Sequence, residues 1–137
     1  MQFHGILYRS EALTSEGGRM ERALMARSLV NNAANGITGI LHRENGIYHQ
    51  WLEGPDDIVS QTFDRISRDE RHRNVRLLSR RRISSRLFQS WPMVYAGASG
   101  NSLFDWAALK GVPLHPSQPD EVLNFLKDCA RRSAATS

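Results

Sequence analysis

The chain is read as an α+β fold, a mixed five-stranded sheet with two helices on one face and a C-terminal helical pair on the other. Three observations carry this reading. Short β-prone runs recur along the chain, two helical stretches are inserted between them, and an Asn-Gly pair joins the second run to the third. The resulting order, β-α-β-β-α-β-β followed by helices, is ferredoxin-like.

Each element has its own local warrant. "FHGILYRS" (3–10) is apolar and β-prone, the first strand. Met20, Ala23, Leu24, Ala26, Leu29 and Val30 fit the stripe of a helix over roughly 18–33, closed near Asn35-Gly36. "ITGILHR" and "GIYHQWLEG" are strands two and three, joined by a hairpin turn at Asn45-Gly46. Gly54-Pro55 opens a helix over about 55–69, with Asp56 and Asp57 favouring its dipole and Ile58, Val59, Phe63 and Ile66 as its buried stripe. "NVRLLSRRRIS" is the fourth strand and "SWPMVYAG" the fifth, where Pro92 marks a strand start, an edge or a bulge. "SLFDWAALKG" is a helix stopped by Gly111. "DEVLNFLKDCARR", introduced by Ser117 and Pro119, is a last helix ending on Arg131 and Arg132, with "SAATS" frayed beyond it.

The 137 residues make one domain with room for a real core. No apolar run approaches the roughly 20 residues that span a bilayer, and no signal peptide is read before the first strand. Cys129 is the single cysteine, which excludes a disulfide framework and a cysteine-based zinc site. The expected compartment is cytoplasmic. Net charge +4 raises the question of nucleic acid, and the basic residues concentrate in "RLLSRRRISSR" with Arg76, Arg80, Arg81, Arg82 and Arg86. Such runs are ordinarily solvated strand ends, and neither interleaved aromatics nor a recognition helix accompanies this one, so nucleic acid is not the expected partner.

"GIYHQWLEGP" poses the functional question. With period two, Ile47, His49 and Trp51 point one way and Tyr48, Gln50 and Leu52 the other. Gln50 therefore sits on an apolar face, where each unpaired amide group costs about 1–3 kcal/mol. Tyr8 shares its strand face with Ile6; Leu24, Ser28 and Asn32 share a helix face, with Asn31 beside them; Arg65 and Asp69 are four residues apart. Singly these read as a core tyrosine, a fraying helix end and a surface ion pair. Jointly they fit a groove between two helices packed on one sheet face. Leu24 and Ile66 form its walls, Asn31, Asn32, Arg65 and Asp69 supply polar groups, and Tyr8 and Gln50 form the floor. That is a site for a flat, heteroaromatic ligand.

These motifs closely resemble those of the BLUF family, domains for blue-light sensing using FAD. The matching pieces are "ILYRS", "NNAANGITGIL", "HQWLEGP", "DRISRDERHRNV" and "FQSWPM", the last with Trp91 and Met93. The resemblance runs from residue 3 to about 97, and the tail is similar to that of short stand-alone, bacterial members. It implies a flavin-binding photosensory domain over 1–98 and a helical extension over 99–137. It implies FAD as cofactor, with FMN or riboflavin as alternatives, bound by Leu24, Ser28, Asn31, Asn32, Gln50, Arg65, Ile66 and Asp69. Tyr8, Gln50, Trp91 and Met93 are the implied photoactive set. Tyr8 would give the photoexcited flavin an electron, with proton movement through Gln50, leaving the Gln50 amide rotated or tautomerised. The chemistry of the residues agrees: a phenol is oxidisable, and half a turn of a carboxamide exchanges a donor for an acceptor.

The chain departs from the family pattern at "SWPM", at Ser28 and at the bulky His49 and Trp51. The resemblance implies no enzyme activity and no metal. An acylphosphatase-like enzyme would need a glycine-rich anion loop after the first strand, and "YRSEALTSEGG" is not one. The remaining roughly 40 residues hold no effector domain. The output is thus expected to pass to a downstream protein or to self-association, most simply a homodimer, with no membrane involved. The alternative is a flavin-binding interaction module without photochemistry.

Overall fold

The computed structural model describes residues 2–88, 93–97, 101–113 and 118–136, the stretch 133–136 by its backbone. The elements are β1 (Phe3–Ala12), α1 (Arg19–Asn35), β2 (Thr38–Glu44), β3 (Ile47–Pro55), α2 (Asp56–Ser67), β4 (His72–Ile83), β5 (Val94–Gly97), α3 (Leu103–Lys110) and α4 (Pro119–Thr136). Strand order is β4-β1-β3-β2-β5, with β2–β5 parallel and the other pairs antiparallel. This is the expected ferredoxin-like sheet with one added strand.

Local chemistry sets the corners. Asn45 and Gly46 both adopt positive φ, 52° and 75°, as a two-residue hairpin between right-twisted strands requires. Gly36, at φ 69°, ends α1, and its N–H donates to Asn32 O. Ser102 caps α3 by accepting from Asp105 N.

Alternation along the central strands builds two cores. Ile6, Tyr8 and Leu52 face α2 and pack with Val59, Phe63 and Ile66. Leu7, Ile40 and Trp51 face the other way and pack with Leu103 and Ala107 of α3 and Phe125, Leu126 and Cys129 of α4. The C-terminal helices thus cover the second face, as expected. Trp51 crosses beneath β1, where a Cβ on Gly5 would fall 1.9 Å from the indole, so the glycine is required by close approach.

Four expectations change. The apolar residues of α1 are not its buried stripe: Met20 is 62% and Val30 66% exposed, while Glu21 and Asn32 are buried. The cause is that α1 turns polar groups inward, where the Glu21 carboxylate accepts from Gly17 N, Arg43, Tyr48 and Tyr95. Helix α2 stops at Ser67, so Asp69 lies past its end. Helix α4 runs to Thr136, through the stretch expected to fray, where its alanines sustain the helix. Strand β5 begins at Val94; Ser90, Trp91 and Pro92 lie outside the described residues.

Three arginines of the basic run, Arg80, Arg81 and Arg86, pair within the chain. Arg80 bonds Asp56 and Ser60, Arg81 bonds Asp120, and Arg86 donates to Gly36 O and Thr38 Oγ1 while lying over the Phe3 ring. Beside Arg86 the fully buried Glu53 accepts from Thr38 Oγ1, Trp51 Nε1 and the backbone N–H groups of Leu87 and Phe88. The two backbone donors fasten the chain after β4 to the end of the central hairpin, while Thr38 and Trp51 hold the carboxylate from within the hairpin.

Candidate functional site: a groove between α1 and α2

A groove of about 200 Å³ opens between α1 and α2 above the sheet. Helix α1 contributes Leu24, Ser28, Asn31 and Asn32; α2 and the turn after it contribute Arg65, Ile66 and Asp69; Tyr8 and Gln50 are in its floor, with Met93 beside them. Every described residue expected in the site therefore lines one cavity. Trp91, expected among the photoactive set, lies outside the described residues.

The floor is set by sheet register. Tyr8 of β1 and Gln50 of β3 are direct cross-strand partners with side chains on the same face. The Tyr8 hydroxyl donates to Gln50 Oε1, and Gln50 Nε2 meets Met93 Sδ at 3.5 Å. Tyr8 is 3% exposed; burial first, then Tyr48 and the Asp69 carboxylate, pushes its phenol well above the usual range, so it remains a donor. Its ring packs against Phe63 at 5.5 Å and lies 6.4 Å from His72. His72 Nε2 donates to Ile66 O at 2.6 Å and Nδ1 is hydrogen-bonded to Ser10 Oγ at 2.8 Å, which ties the end of α2 to β1.

The polar rim differs from the expected pairing. Asp69 Oδ1 accepts from Arg71 N at 2.9 Å and lies 3.2 Å from Arg71 Nε. Because α2 has ended, Arg65 and Asp69 lack the one-turn geometry of a helical ion pair. Both reach the groove separately. Arg71, His72, Thr62, Met25, Arg27, Leu41 and Tyr48 also line it and were not among the expected site residues. Tyr48 was signalled by its alternation with Gln50. Arg71 and His72 depend on where α2 stops, which the helical period does not show.

The groove fits a flavin ring by its chemistry. Its walls are largely apolar, its floor is flat sheet, and the Gln50 amide nitrogen has, among the described residues, only a thioether as acceptor. A thioether is a weak acceptor, so a ring carbonyl or ring nitrogen would satisfy that amide. A second cavity of about 280 Å³ lies on the opposite face, lined by Arg9, Glu44, His49, Leu78, Phe104 and Glu121 among others, and holds none of the residues expected in the site. Among the described residues no group of His, Cys, Asp and Glu could hold a metal ion, and no helix is long and apolar enough to cross a membrane.

The chain is thus a ferredoxin-like domain whose groove, between two helices on one sheet face, is floored by a Tyr–Gln pair. Comparison with known proteins gives the family: residues 3–94 match BLUF, "Sensors of blue-light using FAD", and the chain belongs to that family. It is 31% identical over 94 residues to photoactivated adenylate cyclase subunit beta-like protein FB of Euglena gracilis, covering 68% of this chain and 11% of that protein. The chain thus spans about a tenth of the length of the curated relatives it matches. Among solved structures, the dark state of BlrB, a BLUF protein, superposes with a TM-score of 0.78 at 25% identity, covering 93% of this chain and 96% of that one. A bacterial light-regulated adenylyl cyclase superposes at 0.71 with 26% identity, covering 89% of this chain and 36% of that one.

Proposed function

We propose that this chain is a blue-light photoreceptor that signals by reversing the hydrogen bonds of Gln50. The observation that carries the proposal is the Tyr8–Gln50 contact in the floor of a groove shaped for a flat ring. Bound flavin supplies a strong photo-oxidant when it absorbs blue light. Tyr8 would serve as its one-electron donor, and its hydroxyl, already donating to the Gln50 amide oxygen, would pass its proton there when the phenol is oxidised. When the electron returns, Tyr8 would regain a proton: taken back from the amide oxygen it leaves Gln50 rotated, and supplied by Nε2 it leaves Gln50 tautomerised, either way with donor and acceptor exchanged toward the ligand and toward Met93. Two such arrangements separated by roughly a few kcal/mol form a bistable element that light biases.

The ring is held by Leu24 and Ile66 on either wall, with Ser28 beside Leu24. Asn32 and Asn31 bond its polar edge, and Arg65 and Asp69 anchor the ligand at the groove mouth. FAD is the proposed cofactor, by the family's description; FMN and riboflavin share the ring and fit the same groove. Residues 1–98 form the sensor and 99–137 the extension. The output passes from Met93 and β5 to a cytoplasmic partner protein or a second copy of the chain. Relatives named as cyclases support an effector as the natural recipient.

Colour tests the proposal. Protein loaded with FAD is expected to be yellow and to show a reversible red shift of the flavin absorption under blue light. Flavin binding without any shift would leave the chain as an interaction module without photochemistry.

A further inference from the structure

Tyr48 lies two residues before Gln50 on the same face of β3 and lines the same groove, yet its hydroxyl does not serve Gln50. It donates to Oε2 of Glu21, a carboxylate in the first turn of α1 that is 2% exposed. The carboxylate is held from every side. Oε1 accepts from Gly17 N at 2.8 Å and from the Tyr95 hydroxyl at 3.2 Å, and Oε2 also accepts from Arg43 Nη1. Arg43 is fixed in turn by Nη2 donating to Thr14 O at 2.8 Å.

We propose that Tyr48 is a second electron donor to photoexcited flavin, with the Glu21 carboxylate as acceptor of its phenolic proton. The inference rests on the flavin reading of the groove. An oxidised phenol is a strong acid, so a tyrosine gives up an electron most readily where a base already holds its proton. Tyr8 rests on an amide oxygen, a weak base. Tyr48 rests on a carboxylate. Burial alone would raise the Glu21 carboxyl, but the bonds from Gly17 N, Tyr48 and Arg43 outweigh it and hold the group below the usual range, in its basic form.

The step balances. One electron leaves Tyr48 for the flavin, the Tyr48 O–H bond breaks, and an O–H bond forms on Glu21. A neutral Glu21 then leaves the Arg43 guanidinium buried without its counter-charge, which drives the proton back as the electron returns. Gln50 takes no part in this cycle, so the route spends the excitation without switching the amide.

The test uses the flavin-loaded full chain carrying Tyr8→Phe and Trp91→Phe, which removes the proposed primary donor and a readily oxidised indole. The expected result is a flavin excited-state lifetime that stays short, slows in heavy water, and lengthens several-fold when Tyr48→Phe is added. A transient band of a protonated carboxyl is expected in infrared difference spectra of that background and should vanish with Glu21→Gln. A lifetime in the background already as long as with Tyr48→Phe, or one indifferent to heavy water, overturns the proposal. The heavy-water comparison needs no change at either residue, so the outcome does not depend on the further variants folding. Failure of the flavin reading looks different: the wild-type chain would bind no flavin at all.

Discussion

The Tyr8 hydroxyl donates to Gln50 Oε1 across the β1–β3 ladder, joining residues that face each other directly in the register. The contact sets an oxidisable phenol against a carboxamide, whose two ends differ in being donor and acceptor. The other contact of that amide, from Nε2 to Met93 Sδ, connects the pair to the chain entering β5.

Replacing Tyr8 by Phe removes the oxidisable hydroxyl and little volume. The variant is expected to bind flavin and stay yellow, and to lose the reversible red shift. Difference absorption spectroscopy before and after blue light checks this. A wild-type shift in Tyr8→Phe removes Tyr8 from the mechanism.

Arg65 and Asp69 line the groove without a mutual ion pair of helical geometry, and Asp69 instead pairs with Arg71 at a partly exposed site. Pairs of this kind contribute under about 1 kcal/mol to stability. The Arg65→Ala/Asp69→Ala protein is therefore expected to unfold close to wild type as apoprotein while retaining markedly less flavin. Fluorescence of the flavin released on denaturation measures occupancy. Full occupancy would show that neither side chain anchors the ligand.

His49 gives a pH dependence on the other face of the sheet. Burial, followed by the charges of Arg9 and His42, pushes its imidazole down to about 4 from an ordinary 6.5. The unfolded chain binds the proton more tightly between these values. Stability is thus full above pH 6.5 and falls as pH drops toward 4, by roughly 3 kcal/mol at most. His42, also held low by burial, adds in the same direction. His49→Gln is expected to flatten the acid limb of a denaturation-versus-pH curve; an unchanged limb would assign the loss elsewhere.

Much of this was legible in the sequence because the governing rules are local. Alternation placed Tyr8, Gln50 and Trp51 on their faces, and Asn45-Gly46 and Gly36 marked corners that only positive φ can turn. Residues on two helices could be assigned to one groove because the strand order leaves both helices on the same face. What failed depended on distant partners. The apolar positions of α1 suggested a buried stripe, but Glu21 found Arg43 and two tyrosines from β3 and β5, and its bonds decided which face turned inward. Arg71 and His72 entered the site because α2 ends at Ser67, and the donor that Asp69 would choose could not be read from spacing alone.

The most direct test is the light-minus-dark infrared spectrum of the flavin C4=O stretch in Gln50→Leu. Leucine keeps the strand face apolar, so the fold and flavin binding are expected to survive, and it has no donor to re-aim. The account predicts a carbonyl downshift under blue light in the wild-type chain and none in Gln50→Leu. A light-induced downshift that persists in Gln50→Leu would contradict the claim that Gln50 is the switch.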